Sequence, residues 1–139
     1  ELGKPDISGS PTPLLIAKRS IASEYGKILV TKGVDSAFSK LIELKSDTTN
    51  YFLDETEMNE MGYELFADTE IAGHQEKGLE VLKLNTMLFP ESWNTYDSYG
   101  EVLAKAGKKD EAIRMYKKSL ALNPKSESGI KALEELLKK

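Results

Sequence analysis

The chain has 139 residues, 40% of them hydrophobic, which suffices for one core and one domain. With no cysteine it has no disulfide, thiolate metal site or thiol nucleophile, although that fixes no compartment, and cytoplasmic and exported locations both stay open. The formal charge of -4 divides into +2 over residues 1–45, -11 over 46–104 and +5 over 105–139, a pattern that opposes nucleic-acid binding and, if it steers association, favours a basic partner.

The first thirteen residues hold Pro5, Pro11 and Pro13 beside Gly3, Ser8, Gly9 and Ser10, so residues 1–19 are expected to form a linker rather than a helix. The chain begins at Glu1, the expected mark of a processed product or a piece of something longer, and it shows no signal-peptide succession. No apolar run approaches the length that spans a bilayer, so membrane insertion is not expected.

From Ser20 onward apolar residues recur at helical spacing, first as Ile21, Tyr25, Ile28 and Leu29, then as Ala37, Phe38, Leu41, Ile42 and Leu44, with Gly33 as the stop between them. Asp54 followed by Glu57 has capping-box spacing and announces a third helix with Met58, Met61, Leu65 and Phe66 on its apolar stripe. Further helices are expected over 75–88, 92–105, 109–122 and 127–138, for seven helices and no strand.

Laying the segment before Pro90 over the segment before Pro124 gives an offset of 34 residues, with Gly78, Leu79, Leu82, Leu88 and Pro90 falling on Ala112, Ile113, Tyr116, Leu122 and Pro124. The preceding helix aligns at 38 instead, through Met58, Met61-Gly62 and Leu65 against Tyr96, Tyr99-Gly100 and Leu103. Four extra residues are therefore expected within 67–76. Gly100 and Ala112 lack bulk where two helices cross, and Tyr99 and Tyr116 fill the space around them. The run Tyr96, Tyr99-Gly100, Leu103, Ala112, Tyr116 and Pro124 resembles the tetratricopeptide repeat (TPR) pattern.

That resemblance implies an all-α fold of antiparallel helix hairpins stacked as a short right-handed solenoid. Its divisions are a degenerate hairpin over 20–45, a repeat with an insertion over 54–91, the best repeat over 92–125 and a capping helix over 126–139. A narrower resemblance rests on Leu84-Asn85 and the run from Phe89-Pro90 through Trp93 to Glu101, with Leu2-Gly3-Lys4-Pro5 at the start. It is similar to the C-terminal helical extension of some bacterial serine hydrolases, of the beta-lactamase or penicillin-binding type and of the esterase type. This implies an accessory domain whose catalytic part lies outside the chain.

No catalytic site is expected within the 139 residues. His74 has neither a cysteine nor a serine and carboxylate arrangement around it and reads as a solvated loop residue. Ser128 and Lys131 share a Ser-x-x-Lys spacing without a companion motif, which reads as chance. The carboxylates lack the histidines or the alternating loop of a metal site, and there is no phosphate-binding glycine loop, so neither metal nor cofactor is expected.

What is left is binding of a protein or peptide. In a TPR-like stack the first helix of each hairpin lines a concave groove. Helical phase places Thr56, Asn59, Tyr63 and Phe66, and then Asn94, Asp97, Glu101 and Lys105, on that face. Tyr63 and Phe66 are expected as an exposed aromatic pair needing cover. TPR domains that grip an acidic chain terminus place lysine and asparagine there, whereas this sequence has Asp97 and Glu101. The parent catalytic domain and a second copy of the chain are the other expected partners.

Overall fold

A computed structural model describes residues 17–138. The linker expected over 1–19 therefore lies mostly outside the described residues, as does the Leu2-Gly3-Lys4-Pro5 run. Seven helices follow one another: α1 (Ile21–Lys32), α2 (Val34–Lys45), α3 (Glu55–Ala67), α4 (His74–Leu88), α5 (Trp93–Lys105), α6 (Lys109–Leu122) and α7 (Glu127–Lys138). They pack as sequential hairpins, α1 with α2, α3 with α4 and α5 with α6, while α7 lies against α6. The result is an all-α bundle in a helical-repeat arrangement.

The helix boundaries follow local chemistry. The Ser20 hydroxyl caps α1 by accepting from the Ser23 amide at 3.3 Å, and the Asp54 carboxylate caps α3 by accepting from the Glu57 amide at 2.9 Å. The reciprocal half of the capping box is absent, because the Glu57 side chain accepts from the Ser20 hydroxyl instead. One residue, Gly33, both ends α1 and opens α2. Its φ of 90° is one that a side chain rarely permits, which is why a glycine makes this turn.

One expectation needs correction. Arg19–Ser20 (β1) runs parallel to Tyr51–Phe52 (β2), a two-residue pair where no strand was expected. Hydropathy periodicity cannot announce an element of two residues. The pair ties the chain before α1 to the chain after α2, and the Arg19 amide also donates to the Asn50 carbonyl at 2.8 Å.

The two later hairpins repeat closely. The bounds of α5 are those of α3 advanced by 38 residues, and the ends of α4 and α6 differ by 34. The extra residues lie where expected: α3 and α4 are joined by 68–73, against 106–108 between α5 and α6, and α4 starts one residue earlier than its counterpart. Gly73, at φ 65°, turns the longer connection into α4.

The core forms two buried clusters. One joins Ile21, Tyr25 and Leu29 of α1, Ala37, Leu41 and Leu44 of α2, Met58 and Leu65 of α3, and Val81 and Leu84 of α4. The other joins Leu82 of α4, Tyr99, Val102 and Leu103 of α5, and Ala112 of α6. Helix α4 feeds both because Val81 and Leu82 point to different neighbours. Each fully buried aliphatic contributes about 1.5–3 kcal/mol.

Candidate functional site

Helices α3 and α5 lie side by side, and a polar seam joins them. At one end the Glu55 carboxylate accepts from the Ser92 hydroxyl at 2.7 Å and from the Asn94 amide at 3.4 Å. In the middle the Asn59 amide donates to the Ser98 hydroxyl at 2.7 Å. At the far end the Tyr63 hydroxyl donates to Glu101 at 2.7 Å, and Lys105 meets the other Glu101 oxygen at 2.8 Å with its ammonium 5.9 Å from the Tyr63 ring centre. Five of the eight expected groove residues, Asn59, Tyr63, Asn94, Glu101 and Lys105, are thus brought together and bonded to one another or to the facing helix.

The other three divide. Thr56 is exposed on the first turn of α3. Phe66 is half-buried against the second core cluster, with its ring edge-on to His74 at 6.5 Å. The exposed aromatic pair is therefore not found: Tyr63 is also half-buried, its hydroxyl satisfied by Glu101. Nor is His74 a solvated loop residue. It is the first residue of α4, half-buried, and its Nδ1 lies 2.6 Å from the Phe66 carbonyl, so the ring pins the end of α3 to the start of α4. Asp97 is half-buried, and its Oδ1 is wholly covered without a hydrogen-bond partner. A methyl on Gly129 of α7 would lie 3.3 Å from that oxygen.

The two acids of α5 titrate in opposite directions. Burial, with the nearby Glu101 charge, pushes the Asp97 carboxyl above the usual aspartate range. Burial also opposes ionisation of Glu101, but the hydrogen bonds from Lys105 and Tyr63 and the Lys105 charge outweigh it and hold that group below the usual range. Tyr116 is pushed up to about 12 by burial and by the Asp97 and Glu101 charges.

Asn85, on α4, was missed as part of this seam. It is fully buried, and its amide donates to the Glu55 carbonyl at 3.0 Å and to the Asn59 side chain at 3.3 Å. Those two acceptors fix its orientation, since a flipped amide would set oxygen against oxygen. Its Oδ1 is buried without a partner. The signal was available: a polar residue stands in the apolar phase of α4 between Leu82, Leu84 and Leu88.

A second feature lies between α1 and α3. Gly26, Val30, Met61 and Leu65 line an apolar cleft of about 390 Å³, with Ser23, Lys27 and Thr31 completing its wall. Gly26 lets Met61 pack onto α1, because a methyl there would collide with the Met61 sulfur. Ser20, Ser23, Glu57, Glu60, Met61 and Glu64 line the adjoining depression. The sequence signal was Tyr25-Gly26-x-x-Leu29, which repeats Tyr99-Gly100-x-x-Leu103 and matches Met61-Gly62-x-x-Leu65.

Elsewhere, Val34, Phe38 and Ile42 form an exposed stripe on α2, with Phe38 at 47% and Ile42 at 53% exposure. Among the described residues no group of His, Cys, Asp and Glu could hold a metal ion, and no helix is long and apolar enough to cross a membrane. No family model matches the chain, and no curated protein matches it.

Proposed function

We propose that the chain is a TPR-like interaction module, without chemistry of its own, that binds a protein or peptide on the face lined by its first helices. The observation that supports this most is the repeat itself. Two hairpins start 38 residues apart, end 34 apart and cross through small residues, Gly62 with Gly78 and Gly100 with Ala112. Stacking such units puts α1, α3 and α5 on one side, the surface through which repeat stacks take ligands. Thr56, Tyr63, Asp97, Glu101 and Lys105 are the candidates on α3 and α5, and the acids among them suit a basic ligand better than an acidic chain terminus.

The test uses peptides selected by display on the full chain and amide-shift mapping on the labelled protein. Shifts are expected on α1, α3 and α5. Shifts confined to α2, α4 and α6 would sink this reading.

The α2 stripe supports a second reading, an accessory domain of a serine hydrolase. A neighbouring domain would cover Val34, Phe38 and Ile42, removing apolar surface from water. On that reading the encoded sequence upstream of Glu1 contains a Ser-x-x-Lys or Gly-x-Ser-x-Gly motif, and a source gene without either removes it.

A further inference from the structure

We propose that the cleft between α1 and α3 is the docking site for a peptide segment carrying an aliphatic side chain flanked by lysine or arginine. This rests on the interaction-module reading and specifies where the ligand sits and what its chemistry is.

The floor of the cleft is apolar and adaptable. Gly26 stands inside α1, where a glycine costs about 1 kcal/mol relative to alanine. The Met61 sulfur and methyl lie over Gly26 in the space a side chain would take, so the glycine seats the thioether that forms the floor. Met61 is half-buried, and a thioether on a flexible chain fits side chains of varied shape. Val30 stands 40% exposed at the wall, an apolar side chain left half in water unless a ligand covers it. Leu65 continues the floor along α3.

Charge selects the flanks. Helix α3 contains Glu55, Glu57, Glu60 and Glu64 and no basic residue. Glu57, Glu60 and Glu64 follow one another at helical spacing beside the cleft, and Glu60 and Glu64 are exposed and enter no ion pair among the described residues. Across the cleft Arg19 and Lys27 share the Glu24 carboxylate, at 2.9 and 3.9 Å, which leaves one cation there against Glu57, Glu60 and Glu64. The uncompensated charge on the rim is therefore negative and matches a cation on either side of an aliphatic anchor.

Three capped hexapeptides test this on the full chain. The first has two central leucines with two lysines on each side, the second has glutamates in place of the lysines, and the third has serines in place of the leucines. The lysine–leucine peptide is expected to bind at least about tenfold more tightly than either of the others, with weaker binding at high salt. Its amide shifts should centre on Gly26, Val30, Met61 and Leu65. Val30→Ser and the pair Glu60→Lys with Glu64→Lys alter exposed positions, so they should keep wild-type amide dispersion while each weakens that peptide by about fivefold or more.

Equal affinity for the glutamate peptide, or no shift with any peptide, overturns the proposal. Shifts centred on Asn59, Ser98 and Asp97 overturn the cleft but leave the interaction module standing. Cleft shifts that grow with protein concentration alone assign the surface to a second copy instead. A failure of the module reading shows separately, as shifts on the second helices.

Discussion

In the α3–α4 hairpin the helices meet through Gly62 and Gly78, and a methyl on Gly78 would lie 2.7 Å from both the Gly62 carbonyl oxygen and the Phe66 amide nitrogen. In α5–α6 the same crossing is made by Gly100 and Ala112, and a methyl on Gly100 would lie 3.4 Å from the Ala112 carbonyl and 3.3 Å from the Tyr116 ring. One hairpin thus brings backbone against backbone, while the other leaves a methyl a tight fit that its neighbours can relieve by small shifts. The difference shows that a repeat can keep its small-residue positions while changing how much error its crossing tolerates.

The largest expected effect breaks that comparison directly. Gly78→Ala should lower stability by about 3 kcal/mol, because the obstacle is backbone and cannot rotate away. Gly100→Ala should change it by less than about 1 kcal/mol, since a better helix residue offsets mild crowding. Urea melts of the two variants decide this, and equal losses would remove the distinction between the hairpins.

Next comes the seam that joins them. Asn59→Ala strips the buried Ser98 hydroxyl and the Asn85 amide of a partner each and should cost about 2 kcal/mol. A double-mutant cycle with Ser98→Ala should recover part of this as coupling, and strict additivity would mean that the seam carries no interaction.

Smaller is the contrast between helix starts. Asp54 caps α3 through its side chain, whereas the Ser92 hydroxyl makes no cap bond to α5 and donates to Glu55 instead. Asp54→Ala should cost about 1 kcal/mol and Ser92→Ala about half that, as read by thermal melts.

The smallest effects have opposite signs on one helix. With its folded pKa raised, Asp97 holds a proton that the unfolded chain has released, so stability falls as pH rises from the ordinary aspartate value through the folded one. Asp97→Asn should flatten that fall and leave the protein slightly more stable at neutral pH. Glu101 has a lowered folded pKa, so its contribution is present above the ordinary glutamate value and is lost as pH falls through the folded one. Glu101→Gln should therefore weaken the protein at neutral pH. Both groups are half-exposed and screened, so each effect stays below about 1 kcal/mol. Stability measured between acid and neutral pH separates them, and a common sign for both variants would contradict the assignment.

Most of the helical framework was legible because its signals are periodic. The stripe from Met58 to Phe66, the Asp54 cap and the offsets of 34 and 38 placed helices and insertion within a residue or so. The β1–β2 pair escaped because two residues carry no period. His74 escaped because a single residue at a helix start looks the same in sequence whether its ring faces water or a carbonyl. The binding face was legible only as a list of phases. That Tyr63 would reach Glu101, and Asn59 would reach Ser98, depends on how far apart α3 and α5 settle, which no periodicity records. Asn85 and Gly26 were missed although each left a signal: Asn85 breaks the apolar pattern of α4, and Gly26 repeats the position of Gly62 and Gly100.

The β1–β2 pair also governs how the molecule transmits force. It closes α1 and α2 into a ring whose entry and exit strands touch, and the Ser20–Glu57 bond fastens that ring to the first turn of α3. Tension applied at residue 17 is delivered first to Tyr51 and Phe52 and then to α3, so the first hairpin stays slack until the pair slides apart. In a pulling experiment α1 and α2 would extend only after that clasp has opened, so the two-residue pair would set the force at which the first hairpin begins to lengthen.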